Sequence, residues 1–202
     1  GKKPSNTDKS RSSPVFTYLG YLFLALGLMI FLLTYFPVLK EEGKYLIQGN
    51  KTRTITPVNT EFAIVIPKIG ANAAVVKDVD PYDQNIYQKA LTQGVAHAQG
   101  TALPGSAGNA FLFAHSSVDW YVASRYNSVF FLIHKLEEGD DIEMYYKGKK
   151  YTYRVTEKLT VLPGDISYLN PNVSGDTSTL TLMTCWPPGT TMKRLIIKAK
   201  II

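Results

Sequence analysis

Cys185 is the only cysteine among 202 residues, and it closes a β-type run, Ser178-Thr179-Leu180-Thr181-Leu182-Met183-Thr184-Cys185. A thiol of ordinary pKa, ~8.5, is only about 3% thiolate at pH 7, so a working sulfur nucleophile needs a base or a positive charge beside it. Of the three histidines, His115 alone ends an apolar run, Asn109-Ala110-Phe111-Leu112-Phe113-Ala114-His115, ahead of a polar loop. That is the same kind of strand-end position as Cys185 occupies. Nine residues beyond the cysteine, Arg194 follows a Pro-Gly loop and opens a new β-type run, so a strand–loop–strand return carries it back toward the thiol. Each residue also has a plainer reading. A lone cysteine is often a small buried hydrophobe ending a strand, an arginine at a strand start is usually a solvated edge residue, and Lys193 could play the part of Arg194 equally well. His97, in GVAHAQG, and His134, in FFLIHKLEEGD, read as surface or locally satisfied imidazoles.

The elements that must hold these residues are legible around them. A period-2 strand over 178–185 puts Leu180, Leu182 and Thr184 on one face and Thr181, Met183 and Cys185 on the other, and Trp186-Pro187-Pro188-Gly189 ends the pairing. From Glu61 onward short β-branched and aromatic runs (FAIVIP, AAVVKDV, NAFLFAH, DIEMYYKG, KKYTYRVTEKLTVL, STLTLMTC, RLIIKAKII) are punctuated by Gly, Pro, Asn and Asp. This predicts a mainly β barrel or sandwich. Tyr145 to Tyr151 reads as a hairpin turn, followed by a half-buried strand in which Tyr151, Tyr153 and Val155 alternate with Thr152 and Arg154. YDQNIYQKALTQGVAHAQ and YNSVFFLIHKLEEGD allow one or two short helices, and Asp80-Pro81-Tyr82 reads as a turn.

Length suits one folded domain plus an accessory segment. The net charge of +6 is uneven: Lys2, Lys3, Lys9 and Arg11 stand against only Asp8 in the first fourteen residues. Beyond residue 60 no cluster of Lys and Arg with interleaved aromatics occurs, which argues against nucleic acid as a partner. Val15 to Leu39 carries no charge and is long enough to cross a bilayer core of roughly 20 helical residues. It is longer than a signal-peptide core and lacks a small-x-small cleavage site. The chain therefore divides into a cytoplasmic basic tail (1–14), a transmembrane helix (15–39), an extracellular polar linker (40–60) and a folded domain (61–202). The Lys and Arg bias, four before the span against Lys40 and Lys44 after it, keeps the N-terminus in the cytoplasm. The domain then lies outside the cell, where a structural thiol normally finds a disulfide partner, and Cys185 has none in this chain. Glu137, Glu138, Asp140 and Asp141 form the densest acidic group and read as a solvated turn, so no metal and no cofactor is expected.

Together these segments carry a family resemblance. TLTLMTCWPPGTTMKRLIIKA resembles the sortase signature, in which a TLxTC strand end is followed by a loop and an Arg that opens the next strand. IPKIGANA is similar to the IPKIGxxA strand that opens sortase domains, and GVAHAQGTALPGSAGNAFLFAHSS is similar to their GxxHxxGTxxPGxxGNxxxxxH segment. The likeness covers 61–202. It implies a closed eight-stranded sortase-type β-barrel with one or two short helices after a membrane anchor, and a Cys–His–Arg site matched by Cys185, His115 and Arg194.

The implied reaction is transpeptidation at the cell surface. Cys185 would attack a carbonyl in an LPxTG-like sorting motif to give a thioacyl intermediate. His115 would serve as general acid and base, Arg194 would stabilise the oxyanion or substrate, and Thr184 and Trp186 would flank the bound peptide. Implied partners are surface proteins bearing a C-terminal sorting motif, and an amine acceptor in a cell-wall precursor or a pilin lysine. The short loop between Cys185 and Arg194 is similar to that of pilus-type sortases more than to the longer-looped housekeeping kind, and 40–60 shows no inhibitory lid. Two rivals remain: a hydrolytic thiol peptidase using the same pair, and a catalytically silent, membrane-tethered, peptide-binding barrel with Cys185 buried. A sortase substrate is disfavoured because the sequence ends in RLIIKAKII rather than in a sorting motif, apolar stretch and basic tail.

Overall fold

The computed structural model describes residues 14–48, 54–116, 129–165 and 176–202. Helix α1 (Pro14–Gln48) is 35 residues long. Its apolar window, Pro14–Leu33, has a mean hydropathy of 2.2 over 20 residues and is not buried against the rest of the protein. At 1.5 Å per residue such a window matches a bilayer core about 30 Å thick, so α1 is a candidate membrane anchor. The helix runs on through residue 48, so the first part of the segment read as a polar linker has helical backbone.

Eight strands follow: β1 (Phe62–Ile66), β2 (Ala71–Val79), β3 (Val95–Ala98), β4 (Gly108–Phe113), β5 (Asp141–Tyr146), β6 (Lys149–Val161), β7 (Ser178–Trp186) and β8 (Lys193–Ile201). They close into a barrel in the order β1-β2-β3-β4-β7-β8-β6-β5, the closed eight-stranded form that the family resemblance implied. The pairs β2–β3 and β4–β7 are parallel. A parallel pair needs a crossover, and between β2 and β3 this is α2 (Gln84–Leu91), capped by Asp83, whose Oδ1 accepts from the N–H groups of Asn85 (2.9 Å) and Ile86 (3.2 Å).

The interior is filled by the inward set of each alternating strand, including Ile64, Leu112, Ile142, Met144, Leu180, Leu182 and Ile197, all fully buried. Tyr153 joins them with its polar end satisfied: the hydroxyl accepts from Gly105 N–H at 2.9 Å and lies 2.9 Å from Ser178 Oγ. The β5–β6 hairpin turns at Lys147 (φ 49°) and Gly148 (φ 75°), the two left-handed residues that a two-residue hairpin turn requires.

Three local expectations need adjustment. The VAHA end of the first helix-like segment is β3, because α2 ends at Leu91 and Val95 and Ala96 pair with Val75 and Val76. In the second helix-like segment the described residues form only a 3-10 turn, Ile133–Lys135. Phe130, Ile133 and Leu136 are all fully buried, and a spacing of three is the period at which 3-10 side chains eclipse. The acidic group near residue 140 is ion-paired rather than merely solvated. Lys68 Nζ lies 2.8 Å from Asp140 and 3.4 Å from Glu137, while Arg154 Nε donates to Asp141 at 2.9 Å. Burial opposes the Lys68 charge, but pairing with Asp140 and then Glu137 outweighs it and raises the pKa. Among the described residues no three His, Cys, Asp or Glu side chains converge as metal ligands. Asp80 makes the expected turn, its Oδ1 accepting from Tyr82 N–H at 2.8 Å.

Candidate active site

Strand β7 lies between β4 and β8, and its end carries the thiol. Antiparallel pairing sets Cys185 directly opposite Arg194 and Trp186 opposite Lys193. Residues directly opposite share a face, so Arg194 stands on the side of Cys185 and Lys193 belongs to the other side. The ambiguity between the two basic residues is thereby removed. The reversal is tight: Thr190 donates to the Pro187 carbonyl from both its N–H (3.0 Å) and its hydroxyl (2.8 Å), and Gly189 takes φ 79°.

On the other flank the parallel register pairs Leu112 with Leu182 and Phe113 with Met183. It continues past the formal end of β4, since Ala114 N–H donates to Met183 O at 3.2 Å. Thr184 Oγ1 then donates to Ala114 O at 2.8 Å in a buried bond. His115 follows the last registered pair, Phe113–Met183, by two residues, just as Cys185 does on β7. Cys185 and Arg194 thus occupy one level of β7 and β8, and His115 stands in the segment that leaves the neighbouring strand β4. The shared face is marked lower down by Asn109 Oδ1, which accepts from Thr181 Oγ1 at 2.9 Å.

His115 is half-buried, and burial pushes its pKa below the ordinary value of 6.5, favouring the neutral ring. Cys185 is partly exposed. Arg194 is partly exposed too; its Nη1 donates to the carbonyls of Thr191 and Lys193, both at 3.2 Å. Among the described residues those bonds leave the other guanidinium N–H groups for a ligand.

The remaining candidates have different places. Thr184 is 2% exposed and points into the barrel, so it braces the segment leading to His115 rather than presenting a surface to a peptide, because its hydroxyl is already committed to Ala114. Trp186 is half-buried and lies against His134, ring centroids 5.2 Å apart. His134 Nδ1 is 3.0 Å from Phe131 O. His97 is a structural peg. It is fully buried, with Nε2 2.9 Å from Ala102 O and Nδ1 accepting from Asp78 N–H at 3.4 Å, and burial lowers its pKa. The contact between His134 and Trp186 was not foreseen, since it joins distant segments and no local pattern signals it.

Fold and geometry together define a closed β-barrel protein with Cys185 and Arg194 paired at a strand end. A family model of the sortase domain matches residues 64–202, and the chain belongs to the sortase family. Solved structures agree. A lid mutant of sortase A from Corynebacterium diphtheriae is 27% identical with a TM-score of 0.58, the match covering 78% of this chain and 77% of that one. A Clostridium perfringens sortase D5 transpeptidase is 28% identical with a TM-score of 0.57, covering 81% and 88%. Another structure of the Corynebacterium diphtheriae sortase A is 25% identical with a TM-score of 0.58, covering 71% of this chain but only 61% of that one. No match was found among curated protein sequences.

Proposed function

We propose that the protein is a membrane-anchored cysteine transpeptidase that cleaves an LPxTG-like sorting motif and transfers the acyl group to an amine. The observation that carries this reading is the β7–β8 register, which pairs Cys185 with Arg194; His115, two residues past the last β4–β7 pair, Phe113–Met183, is the base that would complete the site. In this scheme the neutral His115 takes the thiol proton as Cys185 Sγ bonds to the motif carbonyl carbon. The oxyanion that forms is met by Arg194, a permanent charge with a planar fork of donors. The His115 imidazolium then protonates the leaving amine as the C–N bond breaks, which leaves a thioester on Cys185. An acceptor amine gives a proton to His115, attacks the thioester and expels the sulfur, which regains its proton from the imidazolium.

The domain map fits that role: a cytoplasmic tail over 1–14, a membrane span over 15–39, a linker over 40–60 and a catalytic domain over 61–202 outside the cell. Its partners would be surface proteins with a C-terminal sorting motif, together with an amine of a cell-wall precursor or a pilin lysine.

The test uses the full chain in detergent with a quenched LPxTG-type peptide library, with and without hydroxylamine or a glycine peptide, comparing wild type with Cys185→Ala. Cleavage that requires Cys185 and gives an amine-capped product supports the proposal. A free-acid product even at saturating amine would instead identify a hydrolytic peptidase. No cleavage, with Cys185 inert to iodoacetamide, would indicate a binding barrel.

A further inference from the structure

The Cys185–Arg194 pair sits one residue from the end of its ladder. Trp186 and Lys193 form the last pair of β7 and β8, and Pro187, which has no N–H, follows. Ladder ends open more readily than their middles, so whatever holds Trp186 also holds Cys185 in register with Arg194. The Trp186 indole lies on the imidazole of His134, centroids 5.2 Å apart with planes at 43°. His134 is in turn held edge-on by Phe131 at 6.3 Å and 85°. Its 3-10 turn is tied to the barrel wall by Lys158 of β6, whose Nζ donates to His134 O at 3.1 Å and to Leu136 O at 2.8 Å. An unbroken path of contacts therefore runs from β6 through Lys158 and His134 to Trp186.

We infer that His134 is a positioning residue for the site, acting through Trp186: its ring keeps the last β7–β8 pair closed and thereby holds Cys185 and Arg194 in register during turnover. The kinetic form of this inference rests on the transpeptidase reading, whereas the contact and its effect on the thiol do not.

The experiment uses the full chain in detergent, in a Trp120→Phe background so that indole emission reports Trp186. His134→Ala, His134→Phe, Trp186→Leu and the double variant His134→Ala/Trp186→Leu are compared for kcat, KM and the rate of Cys185 alkylation by iodoacetamide, and the variants that keep Trp186 also for emission. His134→Ala is expected to lower kcat about 3- to 10-fold with KM almost unchanged, and to shift the emission. His134→Phe, which keeps a ring, restores most of both, and the double variant is no worse than Trp186→Leu alone. Wild-type kcat in His134→Ala, losses that multiply in the double variant, or no recovery with Phe would each overturn the inference. If the wild type turns over no peptide, the transpeptidase reading has failed, and the alkylation rates decide this one. The same non-additive pattern in those rates upholds it, and equal rates in all variants sink it.

Discussion

Thr184→Val separates a brace for the catalytic level from a brace for the barrel. The hydroxyl of Thr184 donates to Ala114 O at 2.8 Å inside the protein, and His115 is the next residue along. Valine keeps the shape, removes the donor and strands a buried carbonyl, a loss of about 1–2 kcal/mol. For a domain of this size that lowers Tm by roughly 3–8 °C. The same strand pair supplies a control, because Thr181 Oγ1 donates to Asn109 Oδ1 at 2.9 Å and is equally buried. Thr181→Val should lower Tm by a similar amount. The two variants should part in turnover, measured on a cleavable motif peptide well below either Tm. Freeing Ala114 lets the His115 ring move, and a displacement near 1 Å costs on the order of 100-fold, so Thr184→Val is expected to lose about 10- to 100-fold in kcat. Thr181→Val, four residues and ~13 Å along the strand from Cys185, should stay within about twofold of wild type. Equal losses of kcat in the two variants would refute the reasoning, for they would mean that the Thr184 bond matters only to overall stability.

Arg194→Lys keeps the charge but loses the planar fork, and kcat for motif cleavage should fall about 100-fold or more; retention of a third of wild-type turnover would contradict the oxyanion role. Because burial holds the His115 pKa below 6.5, the acid limb of kcat/KM should lie below 6.5, and a limb above that value would show that the ring does not titrate as described. The same sign governs stability. His97 and His115 both have lowered folded pKa values, so the unfolded chain binds protons first, stability is complete above 6.5, and the urea midpoint should decline as pH falls below it. Gly94→Ala drives a Cβ into the backbone carbonyl of Ala74, which cannot rotate away, and should destabilise by about 2–3 kcal/mol in urea titration. An unchanged midpoint would show that β2 and β3 can separate there.

The strands were legible because they alternate and their turns carry the right residues. Tyr151, Tyr153 and Val155 point inward as the period-2 pattern requires, and Lys147-Gly148 turns the hairpin. What misled was apolar spacing without a length test. Phe130, Ile133 and Leu136 recur every three residues, which suits a 3-10 turn as well as a helix face, and VAHA was too short to announce itself as a strand beside α2. The closure order was out of reach by pattern alone, since the parallel β4–β7 contact joins segments some seventy residues apart. Only the family resemblance supplied the closed barrel.

The choice between Lys193 and Arg194, left open by their adjacency, was in fact decidable from β8. Leu195-Ile196-Ile197 is apolar throughout and gives no parity, but the strand continues Lys198-Ala199-Lys200, and the two lysines must lie on the outward face. Arg194 shares their parity, while Lys193 shares that of Leu195, Ile197 and Ala199, which are buried. On β7 the outward parity is that of Thr181, Met183 and Cys185. A slip of one residue between the strands would set Lys193 or Leu195 opposite Cys185 and turn Leu195, Ile197 and Ala199 out of the core. At about 25 cal/mol per Å² of apolar surface, that exposure outweighs any gain available at the loop. The core pattern of β8 therefore dictates which cation faces the thiol, and the geometry of the site follows from the packing of side chains that never touch a substrate.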